Sequence, residues 1–353
     1  MKESTDQAER RRQLLGVKLR ALVGDHVGAP IESEATAFGA GAACLVGDGA
    51  WVLIDGAGQR RLGAALAWAV RHGATSLDLI VEEDGGVVAR RAAGFDFPIA
   101  VWFPEDRTLL PIVANPLDAV PEPSDEHLAL VSMIEEAGAT PVVERGVVTG
   151  EVRGLEVCRV VDEPTTGNFV EMSDVVPPET LDVDRTADGV ILEVGVGAND
   201  REAFQMLHGH VPTVEALAGV VSAVEQHRSL DVIQHPLNRM AQERFLRWQA
   251  IEDPPRIGLT SVAVADPPVP RLSMKHAEPC VAVGTDAAGN EVAVVFSSGV
   301  DLELTPFVAD VLAMRRAPDR VLVAVPERDL LAITGDLIAL LKADIELVAL
   351  PAD

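Results

Sequence analysis

Four acidic residues in the middle of the chain have the type and spacing to hold a divalent cation: Glu151, Glu156, Glu193 and Asp200. Hard cations take carboxylate oxygens, and a metal held in this way can activate water. The segments "GLEVCRV" (154–160) and "ILEVGVG" (191–197) share an apolar–acid–apolar rhythm. If these strands pair in register, Glu156 and Glu193 lie side by side. The same alternation carries a second reading. In it the acids point to the solvent face of a half-exposed sheet, or pair with Arg153, Arg159 or Arg201.

The later segment continues as "ILEVGVGANDREAFQML" (191–207), an apolar strand that runs through Gly195 and Gly197 into an acid-bearing helical pattern. Backbone amides at such a turn can cradle an anion. Ile191, Leu192, Glu193, Val194, Gly195 and Gly197 resemble motif I of Rossmann-like methyltransferases. That resemblance implies that Gly195 and Gly197 approach S-adenosylmethionine or a nucleotide. Asn199 stands where a third glycine is usual. Residues 201–228, where the family has a second strand ending in a ribose-binding acid, read as helix. The structural alternative ends the strand at Gly197 and uses Asn199 or Asp200 to cap the next helix. His208 and His210 in "MLHGH" are metal-ligand or base candidates by residue type. Flanking a glycine at a helix end, they also suit a polar C-terminus.

Periodicity shows the elements that must position these residues. Two distant stretches, 42–105 and 278–351, both read β-β-α-β-α-β, the mark of a duplicated unit. Each opens on an apolar strand with one cysteine, Cys44 or Cys280, followed by a turn rich in Gly and Asp. The two cysteines are expected at equivalent buried positions. Thr305 and Pro306 suit the N-cap and first position of the second copy's first helix. Between the copies, 125–139 reads as a helix capped by Asp125 and 141–161 as strands. Residues 162–189 read as an acidic loop, 235–253 as a helix and 253–279 as a proline-rich linker. The expected fold is α/β: duplicated β-β-α-β-α-β units flank a less regular α+β middle section. The expected domains are 1–120, 121–252 and 253–353.

With a helix (6–22) in front, the first copy also resembles in topology the restriction-endonuclease-like PD-(D/E)XK superfamily. That family implies an acid entering the second strand and Glu/Asp-x-Lys on the third, which together bind magnesium. Here Asp48 lies in the hairpin turn, Asp55 follows "WVLI", and Ala57 stands where the lysine belongs. The second copy offers Ser297 and Ser298. The resemblance therefore implies topology without the nuclease chemistry.

The chain has 353 residues, 48% of them hydrophobic, with a formal net charge of −26 and three cysteines. That charge repels nucleic-acid backbones at long range. No apolar run is long enough for a membrane span, and the charged N-terminus lacks the apolar core of a secretory signal. Three scattered cysteines indicate neither a disulfide framework nor a zinc site. A cytoplasmic, non-catalytic binding, scaffold or assembly protein is expected, without a cofactor, whose partner is another protein or a second copy of the chain. The alternative is an enzyme. It would use Glu156, Glu193 and Asp200 with a metal, or Gly195 and Gly197 with a nucleotide or S-adenosylmethionine.

Overall fold

The computed structural model describes residues 2–162, 189–197, 200–202, 206, 213–228, 235–271, 278–315, 318 and 320–351. A helix, α1 (Lys2–Val27), precedes the strands of the first copy. The chain then forms β1 (Thr36–Phe38), β2 (Gly41–Val46), β3 (Gly49–Ala57), α2 (Leu62–Arg71), β4 (Ser76–Glu83), α3 (Gly85–Ala92), β5 (Ile99–Glu105) and β6 (Thr108–Pro111). The six strands form one sheet in sequence order. β2 and β3 make a hairpin at Gly47 and Asp48, while β3, β4 and β5 run parallel. Parallel strands need crossover helices and are buried on both faces, so "WVLI" and "LDLIV" are near-continuous apolar runs. On one face Leu19, Leu22 and Val23 of α1 pack with Ala42, Cys44, Trp51, Leu53 and Ile80. α2 packs on β3 and β4, and α3 on β5.

The middle section holds α4 (Asp125–Ala129), α5 (Val131–Glu136), β7 (Thr140–Glu144), β8 (Val147–Val152), β9 (Leu155–Asp162), β10 (Val190–Val194) and α6 (Thr213–His227). The single helix expected over 125–139 is divided at Leu130, and Ser124 rather than Asp125 caps it, accepting the His127 amide. The four strands form an antiparallel sheet in the order β10-β9-β8-β7. One face packs Val148, Leu155 and Cys158 against Ile134 of α5 and Leu217, Val221 and Val224 of α6.

The second copy comprises α7 (Gln242–Glu252), β11 (Ser261–Ala265), β12 (Cys280–Thr285), β13 (Glu291–Phe296), α8 (Leu304–Met314), β14 (Arg320–Pro326), α9 (Ala332–Ile338) and β15 (Ile345–Leu350). Its sheet order is β11-β12-β13-β14-β15, the order of β1 to β5. The repeat is thus longer than expected: α-β-β-β-α-β-α-β in both copies. Part of the expected linker is β11, which pairs antiparallel with β12 as β1 does with β2. Cys280 packs with Ala282, Val292 and Val294 beneath Leu246 and Ala250 of α7, as Cys44 packs beneath α1. The cysteines are not equivalent along the strand: Cys44 is in the third pair from its turn and Cys280 in the sixth. α8 begins at Leu304 with Glu303 at its N-cap, ahead of the expected Thr305.

The chain divides into two compact units. One contains Met1–Asp118, Val300–Val321 and Arg328–Leu347; the other contains Ala119–Gly299, Leu322–Glu327 and Val348–Asp353. α8 and α9 bury their surfaces in the first unit, against α2 and α3. There the Asp96 amide donates to the Leu340 carbonyl at 2.8 Å, and the Lys342 amide donates to the Gly94 carbonyl at 2.9 Å. Residues 94–96 and 340–342 hold the same place in the two copies, after α3 and after α9. This exchange is the reciprocal contact of a two-fold interface, made within one chain. The helix approach is close: a Cβ on Gly63 would lie 1.9 Å from the Leu302 carbonyl oxygen. In the same unit Asp310 of α8 is fully buried and receives Arg90 at 2.9 Å and Arg91 at 2.7 Å from α3.

Candidate functional site

The middle-section acids gather on the sheet face opposite α5 and α6, and a break in register arranges them. Between β8 and β9, Thr149 faces Arg159 while Glu151 faces Glu156, so β9 carries an extra residue. Such a bulge turns two residues that alternation would separate onto one side. Glu156 and Arg159 are those residues. Glu156 is 1% exposed and accepts two bonds from Arg159, both 3.0 Å, and one from Arg201 at 2.9 Å. Across β10, Glu193 faces Arg159 and not Glu156. The side-by-side pairing of Glu156 and Glu193 therefore does not form. Arg201 stands between them, reaching Glu193 at 3.1 Å.

Glu151 and Glu144 are bound from α7. Arg244 donates to both, and Arg247 donates to Glu144. The two arginines are three residues apart and share a helix face, while Leu246 and Ala250 turn toward the second copy's sheet. Burial alone would raise the Glu144 carboxyl, but Arg247 and Arg244 outweigh it and hold it below the usual carboxylate range. On Glu243 burial prevails over Arg271, Arg244 and Arg228, and its carboxyl is raised. Arg228, 1% exposed, donates to the carbonyls of Arg153, Leu237, Met240 and Ala241 and lies over the Phe245 ring. Burial lowers it to about 10. Arg153, one of the expected partners of the acids, lies over Trp248 and donates to the Arg228 carbonyl.

The glycine stretch ends β10 as a closed turn. Asp200 accepts the Val196 amide at 2.8 Å, and Arg201 donates its amide to the Gly197 carbonyl at 3.0 Å. Asp200 is itself helical and reaches back into the turn. It is not the forward-facing cap expected of it. A Cβ on Gly195 would lie 2.9 Å from the Arg201 nitrogen, and its φ is +137°. Gly195 is thus required by the chain's own close approach at this turn. A carboxylate already holds the Val196 amide, a poor setting for a phosphate, which would meet both an occupied donor and a like charge. Asn199, His208 and His210 lie outside the described residues.

The remaining sequence candidates are dispersed. Asp48 accepts the Thr75 hydroxyl at 2.9 Å, and Asp55 pairs with Arg11. Ser297 and Ser298 are buried. Cys44, Cys158 and Cys280 are free, buried thiols, and burial raises Cys158 and Cys280 to about 12, far from nucleophilic thiolates. Among the described residues no three His, Cys, Asp or Glu side chains converge to hold a metal ion. The constellation that does converge is an acid–arginine array, whose chemistry is to lock strands and helix in one register. Arg244, Arg247 and Arg228 escaped the sequence reading. The signal for Arg244 and Arg247 is a pair of cationic residues inside "RFLRW", a helix with apolar neighbours, and Arg228 has no such pattern around it. Glu193 is the most exposed of the acids bound by Arg201 or α7. Glu193→Gln is expected to cost less than about 1 kcal/mol in urea unfolding, because Arg201 keeps Glu156.

No protein-family model, no curated protein and no solved structure matches the chain.

Proposed function

We propose that this chain is a non-catalytic binding or assembly protein, acting in the cytoplasm through association with another protein. One observation carries the reading. The acids with the right type and spacing for catalysis, Glu151, Glu156 and Glu193, are each met by arginine, as is the neighbouring Glu144, and Asp200 is met by a backbone amide. A carboxylate spent on a guanidinium is a poor ligand for a divalent cation, which would have to displace the arginine and leave it buried and unpaired. No helix among the described residues is long and apolar enough to cross a membrane.

The test is a thermal-shift series on the full chain with magnesium, manganese, S-adenosylmethionine, ATP and NAD. A ligand of the folded state present at 100 times its dissociation constant adds about 2.7 kcal/mol of apparent stability. The expected result is no shift with any of them. A saturable shift with magnesium or manganese that is lost in Glu193→Gln would establish the metal-dependent alternative. A saturable shift with a nucleotide or S-adenosylmethionine would establish the cofactor alternative.

A further inference from the structure

The two copies treat the same sheet edge differently. In the first, β5 is followed by a strand laid along its open side: β6 pairs with it antiparallel, from Glu105↔Thr108 to Trp102↔Pro111. The chain stays on that edge beyond β6. The Ile112 amide donates to the Val101 carbonyl at 2.9 Å, the Asn115 amide donates to the Gly86 carbonyl at 2.9 Å, and Arg90 reaches the Pro116 carbonyl. Under this cover Val101 is 6% exposed.

In the second copy β15 is the last strand of its sheet, and among the described residues no strand lies on its outer side. Ile345 and Leu347 hold the places of Ile99 and Val101; Ile345 is partly exposed as Ile99 is, and Leu347 is partly exposed where Val101 is buried. Beside this edge is a cavity of about 320 Å³, lined by Gly335, Ile338 and Ala339 of α9 and by Ala343, Asp344, Ile345 and Leu347. Ala343 stands where the first copy has Phe97. The lining side chains are apolar apart from one carboxylate, Asp344, which has no ion-pair partner among the described residues.

We infer that the β15 edge and its cavity are the docking site for an extended, lysine- or arginine-bearing apolar segment of a partner protein, which adds as a sixth, antiparallel strand where the first copy has β6. This rests on the binding-protein reading above and names its partner's chemistry. Strand addition takes its affinity from main-chain hydrogen bonds and its specificity from pockets for alternate side chains. The Leu347 carbonyl is placed to accept what the Val101 carbonyl accepts from Ile112. The cavity takes an apolar side chain, and Asp344 takes a cation. A net charge of −26 draws a basic segment from a distance and repels an acidic one.

The probe is a labelled, capped peptide, Lys-Val-Lys-Leu-Lys-Val-Lys, titrated into the full chain by fluorescence anisotropy at physiological salt. A peptide of the same composition with its lysines blocked together, and a glutamate version of the alternating one, serve as comparisons. The expected result is saturable binding of the alternating basic peptide alone. Hydrogen exchange should slow at the amides of 345–347. Ala343→Phe, which refills the cavity, and Ala339→Arg, an exposed change that sets a cation at its rim, should each weaken binding about tenfold. The site is overturned if the blocked peptide binds as well, if neither variant changes the affinity, or if no peptide binds. It is also overturned if sedimentation shows a dimer of this chain that Ala343→Phe dissociates, since the edge then belongs to a second copy. Binding that survives both variants removes this site and leaves the binding-protein reading standing. That reading falls only to the metal and cofactor titrations.

Discussion

Asp310→Ala is expected to remove about 3–5 kcal/mol of stability, because it deletes the fully buried carboxylate that receives both the buried Arg91 and the largely buried Arg90. The Asp310 carboxylate is wholly out of solvent. Arg90 reaches it through both Nε and an Nη, and Arg91 through Nε at 2.7 Å. Removing one member of such a cluster costs far more than the cluster contributes. The same reasoning gives a control. Replacing all three residues together with Met, Leu and Leu should recover most of the loss, since no buried charge is then left unpaired. Urea unfolding of the single and triple variants checks this. A single variant within about 1 kcal/mol of wild type would mean that water reaches the arginines.

The second large effect is a dependence of stability on pH. Glu303 sits at the start of α8, where one of its oxygens accepts the amides of Gly63 at 3.0 Å and Ala64 at 3.4 Å. Its other oxygen has no hydrogen-bond partner among the described residues. Burial raises this carboxyl to about 7, with Asp301 adding to the rise and Arg91 and the two amides only partly opposing it. In the unfolded chain the group titrates near 4.5. Between those two values the folded protein holds a proton that the unfolded chain has released. The contribution of Glu303 to stability is therefore greatest below the unfolded value, falls as pH rises through the window, and is lower by about 3 kcal/mol above the folded value. Glu303→Gln removes the titration. The variant should be more stable than wild type at pH 8 and lose the advantage toward pH 4.5. Parallel pH profiles for the two proteins would refute the assignment.

The duplication was legible because alternate use of glycine-rich turns, apolar runs and amphipathic helices survives when residue identity does not. Two of its elements were not. α7 has arginines on the face turned to Glu144 and Glu151, which hides its membership in a repeat whose first helix, α1, has a mostly exposed polar face. β11 is short and lies among prolines, so "SVAVA" reads as linker until β12 is beside it. The acids Glu151, Glu156 and Glu193 were legible as a cluster on neighbouring strands. Their register was not, because a single extra residue in β9 moves Glu156 beside Arg159 and away from Glu193. Nor were Arg244 and Arg247, which reach Glu151 from a helix about ninety residues later in sequence. The long-range partner of a charge leaves no local pattern.

The reciprocal bonds between residues 94–96 and 340–342 have a consequence for how the two copies can change. Two separate identical chains meeting this way would present every substitution twice, once on each side of the axis, and an acid that suits one side would have to suit its mirror position as well. A chain carrying both halves is free of that constraint. The seventh residue of α2 is Trp68, while the seventh of α8 is Asp310, and only the latter receives two arginines. Covalent linkage has turned a symmetric contact into one whose two sides can be altered separately, so one copy can keep its edge sealed while the other is free to specialise.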